Sequence, residues 1–465
     1  MFGHTNDALI FSPVENAGPR VYARNILCFA LGPDYDAEEI TGILKGGLEA
    51  TKQQIPYLSA EVVLDTDNTK QKGCLCLQEG AFGELRAKQL SKSEFGLTYD
   101  EFKARNYPVA ELREEAVHPV PLLPRAGEAV PVLAAQANFV EGGLLLSFCI
   151  FHLVADGFSC ARVFQMWAQN CRRLQDPAAR ESVFLSSSAF ERAPLTVGHL
   201  SDPDKCDPAD FPEFKVTAEP EEQCPSLHRP YRAQVWRFSP AALARLRADC
   251  AGDDGRKAST DDALAALIWR CTIAAQLGPD DVARLAEPLS ILSVTVEARQ
   301  RIFPPLAPDY MGCPYIYAMS RVPVADLVAG TAELPALAAL TRRATAAITP
   351  HYLSSVINIF QKVPDYACLK PTCFDDLGGQ HVFHSSWDNL PWYEAEWGPK
   401  LGGTAERFRV SSGGMMNGLQ LVLPRVPKGL GPDGSDGVEV LMAFEEGKED
   451  RLTADPLWNR YAVPA

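Results

Sequence analysis

His152 and Asp156 stand four residues apart in Phe151-His152-Leu153-Val154-Ala155-Asp156-Gly157, and their types suit proton transfer. A neutral imidazole titrates near working pH, so it can take a proton from a hydroxyl, amine or thiol as that group attacks. The aspartate is placed either to hold the ring from behind or to turn away and lock the loop. A pair at this spacing also arises by chance, and a lone strand-end histidine is commonly a satisfied core residue. The flanking elements weigh between the two.

Upstream, Leu144 to Phe151 is an almost continuous apolar run after Gly142-Gly143, the pattern of a strand buried on both faces. Downstream, Ala161, Phe164, Ala168 and Cys171 recur at near-helical spacing, with Ser159 as the expected N-cap. Gly157 is expected to let the backbone swing from strand to helix. Gly157-Phe158-Ser159-Cys160-Ala161 also approximates a nucleophile elbow, so a serine hydrolase built on Ser159 competes, although the closing glycine is missing.

A second stretch with chemical potential is Arg256-Lys257-Ala258-Ser259-Thr260-Asp261-Asp262. Ser259 or Thr260 caps a helix whose two aspartates complement its positive end. Lys257, Ser259 and Thr260 also offer a cation and hydroxyls to phosphates; the plainer reading is a well-capped core helix.

With 465 residues, two domains are the default, each able to bury a real interior. The balance of 44 basic to 59 acidic residues, net −15, argues against nucleic acid or an anionic membrane as the main partner. The N-terminus lacks the basic start and apolar core of a signal peptide, and no apolar run is long enough to span a bilayer. The 13 cysteines are scattered, and Cys74 and Cys76 have no second pair to complete a zinc site, so reduced thiols in a cytoplasmic protein without a metal are expected. No heptad or repeat suggests an oligomer, which leaves a monomer.

Strand-like runs at 21–29, 61–64, 73–77 and 130–138 interleave with a helical stretch from Ala37 to Gln54, which places the fold in the α/β or layered α+β class. Ser186 to Pro230 then gathers Ser, Pro, Asp and Glu. The expected organisation is an N-terminal domain over 1–190, a crossover linker over 191–230 and a C-terminal domain over 231–465. The last opens with a strand at 233–238 and a helix capped by Ser239-Pro240.

The motif His152-Leu153-Val154-Ala155-Asp156-Gly157 resembles the His-x-x-x-Asp-Gly signature of the BAHD-type acyltransferases, the chloramphenicol acetyltransferases and the peptide-synthetase condensation domains. Ser259 to Leu264 with Trp269-Arg270 is similar to the family's helix after the crossover. Arg299-Gln300-Arg301, Pro304-Pro305-Leu306, Tyr310 and Gly312 resemble its Arg-x-Arg, Pro-Pro-Leu-Pro and Tyr-x-Gly-Asn segment, and 437–441 and 455–458 its last strand and helix. The Asp-Phe-Gly-Trp-Gly signature survives only as Glu396-Trp397-Gly398-Pro399-Lys400, a loosening similar to that of fungal trichothecene acetyltransferases.

The resemblance implies two chloramphenicol-acetyltransferase-like domains, each a mixed sheet flanked by helices, enclosing a tunnel with His152 at its middle. Acyl-CoA, acetyl-CoA by analogy, would enter from one face and a small-molecule acceptor from the other. His152 would act as general base in direct transfer, with no acyl-enzyme. Asp156 would be mainly structural, paired with Arg299 or Arg301, and Glu396 beside Gly398 would pair with an arginine across the fold. Ser385 or Trp387, similar to the family's Thr-Ser-Trp segment, would supply an oxyanion donor, with an ordinary aromatic core residue the equal alternative for Trp387. His381 and His384 are expected in a loop. Aromatic residues in 383–397 suggest a partly apolar acceptor such as a terpenoid, polyketide or alkaloid alcohol. A repurposed relative that binds or cyclises a ligand without CoA is the remaining alternative.

Overall fold

The computed structural model describes residues 9–67, 71–220, 230–252, 258–286, 288–431, 434 and 436–465. Its N-terminal sheet has five strands in the order Arg407–Arg409, Tyr22–Ala30, Gly143–Phe151, Leu133–Val140 and Leu85–Gln89. All neighbours are antiparallel except the last two, so the sheet is mixed. Every residue of Gly143–Phe151 is buried, as its unbroken apolar run requires. Leu144, Leu146 and Phe148 face one hydrophobic cluster, while Leu145 faces a second one around Tyr99 and Phe102.

Helices Ala37–Gln54 and Gly157–Gln175 cover the first of these faces and pack on each other. The approach is close: a Cβ on Gly47 would lie 2.4 Å from the Cys171 sulfur. The Trp167 indole N–H donates to the Leu44 carbonyl at 2.9 Å across the same seam. The helix that follows the His–Asp motif is thereby anchored along its length.

The second sheet has seven strands in the order Tyr315–Pro323, Leu289–Glu297, Val382–Ser386, Leu419–Val422, Val438–Glu445, Tyr231–Phe238 and Val463–Pro464. Val382–Ser386 runs parallel to both its neighbours, and the other pairs are antiparallel. Helix Thr260–Gln276 buries Leu264, Leu267 and Ile268 with Leu292, Val382 and Val440 of this sheet. Leu421, Leu441 and Ala443, from the same sheet, join the core of the N-terminal half. No helix of the described residues is long and apolar enough to cross a membrane.

The Pro-rich stretch after residue 190 is largely irregular but not free. Asn358 accepts from the Gly198 N–H and donates to the Gly198 carbonyl, both at 3.1 Å, and Phe214–Val216 pairs with Leu369–Pro371. Residues 221–229 lie outside the described residues.

One strand of the motif-bearing sheet comes from far downstream. Arg407–Arg409 adds to its edge beside Tyr22–Ala30, so that sheet is not built from residues 1–190 alone. A buried ion pair fixes the return: Arg409 Nη1 reaches Glu439 Oε2 at 2.7 Å, and its other nitrogens donate to the carbonyls of Tyr107 and Asn106.

Candidate active site

His152 leaves strand Gly143–Phe151 half-buried, and its backbone N–H donates to the Val21 carbonyl at 2.8 Å. Its Nδ1 lies 3.6 Å from the Cys313 sulfur. The tautomer protonated at Nδ1, on the Cys313 side, leaves the Nε2 lone pair as the base. The Tyr315 ring packs on the imidazole, with centroids 5.7 Å apart. Burial holds the imidazole below its usual pKa, partly offset by its own backbone and by Asp156. The ring is therefore kept neutral, the form a base needs.

Asp156 turns away from the ring. Its carboxylate takes both Arg299 nitrogens, at 2.6 and 3.0 Å, and accepts from the Ser159 backbone N–H at 2.9 Å. Arg299 also donates to the Tyr310 carbonyl and to the Ser159 hydroxyl. The Gly312 carbonyl accepts from the Asp156 N–H and from Ser159 Oγ. Arg301 is elsewhere, donating to the Thr345 and Ile348 carbonyls at the end of helix Leu334–Ala347.

Two expectations about this turn are corrected. Asp156, not Ser159, is the N-cap of helix Gly157–Gln175, because its carboxylate is in place to take the Ser159 N–H. Gly157 is not among the positive-φ glycines, so backbone freedom is not what the position uses. Space is: a Cβ there would lie 2.9 Å from Leu390 Cδ1 and 3.2 Å from Trp387 Nε1. Ser159 is fully buried with its hydroxyl held by Gly312 and Arg299, which removes it as an exposed nucleophile.

Trp387 thus reaches the start of the motif helix from the opposite half of the chain. Among the described residues its indole N–H has no hydrogen-bond partner. Ser385 is half-buried on strand Val382–Ser386, and its Oγ accepts from Thr295 Oγ1 at 3.3 Å. His384, expected in a loop, is on that strand with no exposure, and its Nε2 lies 3.4 Å from Asp261 at the start of helix Thr260–Gln276. His381 is buried beside it, accepting from the Ile291 N–H.

Ser259 is the cap of helix Thr260–Gln276, and its hydroxyl is committed to Asp262, at 2.6 Å to the carboxylate and 3.1 Å from the N–H. Thr260 is half-buried in the first turn. Lys257 lies outside the described residues. Glu396 pairs with Arg172 of the motif helix at 3.0 Å, the cross-fold arginine contact. Gly398 has φ 87° and sits against the Gln175 side chain, where a Cβ would come within 2.5 Å, so only glycine fits.

Cys313 and Tyr315 were not singled out by sequence reasoning. Cys313 stands where the Tyr-x-Gly-Asn segment has asparagine, which was the available signal; a lone tyrosine at the start of a strand gives none.

Comparison with known proteins bears on the fold and on the kind of protein this chain resembles. Residues 21–171 match the family model described as the trichothecene 3-O-acetyltransferase-like N-terminal domain. An eremophilane O-acetyltransferase of Penicillium rubens is 27% identical, with 97% of this chain and 98% of the relative covered. The crystal structure of F. sporotrichioides TRI101 complexed with coenzyme A and T-2 superposes with TM-score 0.79 at 22% identity, covering 98% of this chain and 99% of that one.

This chain has the fold of TRI101 and is similar in sequence to fungal O-acetyltransferases.

Vinorine synthase shares that fold at TM-score 0.67 and 16% identity, over 99% of this chain and 95% of its own. An O-acetyltransferase of Penicillium ochrochloron is 24% identical over 98% of this chain and 97% of the relative. The acyltransferase likeness therefore extends from the motif strand to the C-terminal strands.

Proposed function

We propose that the protein transfers an acetyl group from acetyl-CoA to a hydroxyl of a small, partly apolar natural product, as a monomer in the cytosol, with His152 as general base. The observation that carries the proposal is the His152 ring, held neutral by burial with Nδ1 at Cys313 while Asp156 is spent on Arg299. In this assignment Nε2 takes the acceptor hydroxyl proton as the oxygen attacks the thioester carbonyl. The tetrahedral oxyanion is then met by donors, and CoA leaves as its thiol when the carbonyl re-forms, with the proton returned from His152 to sulfur. Trp387 Nε1 and Ser385 Oγ are the donors we assign. Trp387 follows strand Val382–Ser386 and borders Gly157 of the motif helix, and Ser385 lies on that strand beside Thr295.

Asp156, Arg299, Arg301, Glu396 and Gly398 are assigned structural roles, and Lys257, Ser259 and Thr260 the acyl-CoA side. CoA and acceptor would meet in a tunnel between the two sheets. The names of the relatives favour a sesquiterpenoid alcohol as acceptor. The test is incubation of wild type and His152→Ala with acetyl-CoA and a panel of hydroxylated sesquiterpenoids, reading thiol release and product mass. Histidine-dependent release with an acetylated product is the expected outcome. Absence of both CoA binding and transfer in wild type would favour the repurposed, non-acylating alternative.

A further inference from the structure

Glu15 belongs to none of the segments that resemble the acyltransferase family, yet its side chain has 0% exposure and sits among four donors. The Ser12 N–H and Oγ donate to Oε2 at 2.9 and 2.8 Å, and Arg192 Nε reaches the same oxygen at 3.2 Å. The Tyr310 hydroxyl donates to Oε1 at 2.9 Å. Ser12, Arg192 and Tyr310 come from three distant stretches of chain, so one buried carboxylate joins the N-terminal turn Pro13–Asn16, the start of the crossover and the segment beside His152.

Tyr310 links this cluster to the motif. Its carbonyl accepts from Arg299 Nε and Nη2 at 3.0 and 2.9 Å, and Arg299 in turn holds Asp156. The Arg192 and Arg299 guanidinium carbons each lie 5.9 Å from the centroid of the Tyr310 ring. Two residues on, Gly312 binds Ser159 and the Asp156 N–H, and then Cys313 meets His152 Nδ1. The Glu15–Arg192 and Asp156–Arg299 pairs are thus coupled through one tyrosine.

A second observation places the same N-terminal segment against the motif. A Cβ on Gly18 would lie 3.3 Å from Leu153 Cδ2 and 3.9 Å from the Tyr315 hydroxyl. The Val21 carbonyl takes the His152 N–H. Residues 12–21 therefore run along the loop that carries the histidine.

We infer that Glu15 is a positioning residue: through the Tyr310 hydroxyl it fixes the 310–313 segment that seats His152 and Arg299. The physical reason is leverage. A carboxylate held by four donors cannot shift without breaking several buried bonds. The segment it holds sets the imidazole orientation, and small misplacements of a reacting group cost rate steeply.

The inference rests on His152 being the base of acetyl transfer, and the experiment separates the two. Glu15→Ala, Tyr310→Phe and the double variant are compared with wild type well below their melting temperatures, reading kcat, KM for acetyl-CoA and the NMR titration of His152. The expected result is that each single variant loses kcat by about tenfold or more at nearly unchanged KM and moves the His152 midpoint. The double variant should lose no more than the worse single. Glu15→Asp should restore part of the loss.

Tyr310→Phe removes one hydroxyl, so it keeps the test open should Glu15→Ala fail to fold. Lowered melting temperatures with wild-type kcat and an unmoved His152 midpoint would overturn the inference. A wild type that transfers no acetyl group would sink the proposed function instead, while the His152 titration would still report on Glu15.

Discussion

Arg299 holds Asp156 by two parallel bonds, Nη1 to Oδ2 at 2.6 Å and Nη2 to Oδ1 at 3.0 Å, with side-chain exposures of 4% and 9%. The carboxylate four residues after His152 is thereby unavailable to back the imidazole. Its work is to cap the helix and bind the two halves of the chain at the turn that presents the histidine. Removing one partner leaves the other charge buried and unpaired, which costs about 3–5 kcal/mol. Asp156→Ala should therefore lower both the melting temperature and kcat, measured by calorimetry and by thiol release. Wild-type melting with full activity would refute the structural assignment.

His152→Ala acts differently. The half-buried ring contributes the base and little packing, so the variant should melt like wild type and lose about 10²–10⁴-fold in kcat. Because burial lowers the imidazole pKa, the acid limb of kcat/KM should fall below the ordinary histidine value near 6.5. A limb above that value would contradict a desolvated base.

Trp387→Phe keeps an aromatic ring against Gly157 and removes only the indole N–H. If that N–H meets the oxyanion, kcat should drop by about 10²-fold or more with KM for acetyl-CoA little changed. An unchanged kcat would leave Trp387 as packing. Gly157→Ala probes the same contact sterically, since the new methyl would meet Leu390 and Trp387. It should lower kcat while leaving helix content, read by circular dichroism, intact.

Stability should fall on the acid side of neutrality. Burial pulls the pKa values of His118, His152 and His381 below 6.5. As pH drops through about 6.5 the unfolded chain binds protons that the folded chain does not, so the unfolding free energy decreases with falling pH until the folded values are reached. His118 is buried and wedged between Ser147 Oγ at 2.7 Å and Ser411 Oγ at 2.9 Å. Its replacement by Gln should flatten the slope of melting temperature against pH, and an unaltered slope would assign the loss to other groups.

Local signals made much of this molecule legible before any coordinates. The unbroken apolar run before His152 meant a doubly buried strand. Ala37 to Gln54 was legible as a helix from its acidic start, and Ser239-Pro240 marked another helix by its cap. These features are local because caps, periodicity and turns act over a few residues. The resemblance of the motif and of the Arg-x-Arg and Tyr-x-Gly segments to the acyltransferase family, rather than any local signal, pointed to the residues that meet.

What required the tertiary structure were the choices among distant partners. Nothing in the sequence distinguished Arg299 from Arg301 as the partner of Asp156; the fold turns one toward the motif and the other toward a helix end. Three residues, Arg407–Arg409, are too few to carry a period, and what holds them at that sheet, the burial of Phe408 and the buried pair of Arg409 with Glu439, exists only in the fold. Gly157 announced flexibility by type but serves clearance, because Trp387 arrives from more than two hundred positions away in the chain. Glu15 gave no sign at all, since its four donors converge only after the chain has folded. Sequence sets the elements and the chemical types by short-range physics, whereas burial and long-range pairing, which exist only in the folded chain, decide which groups are free to react and which hold them in place.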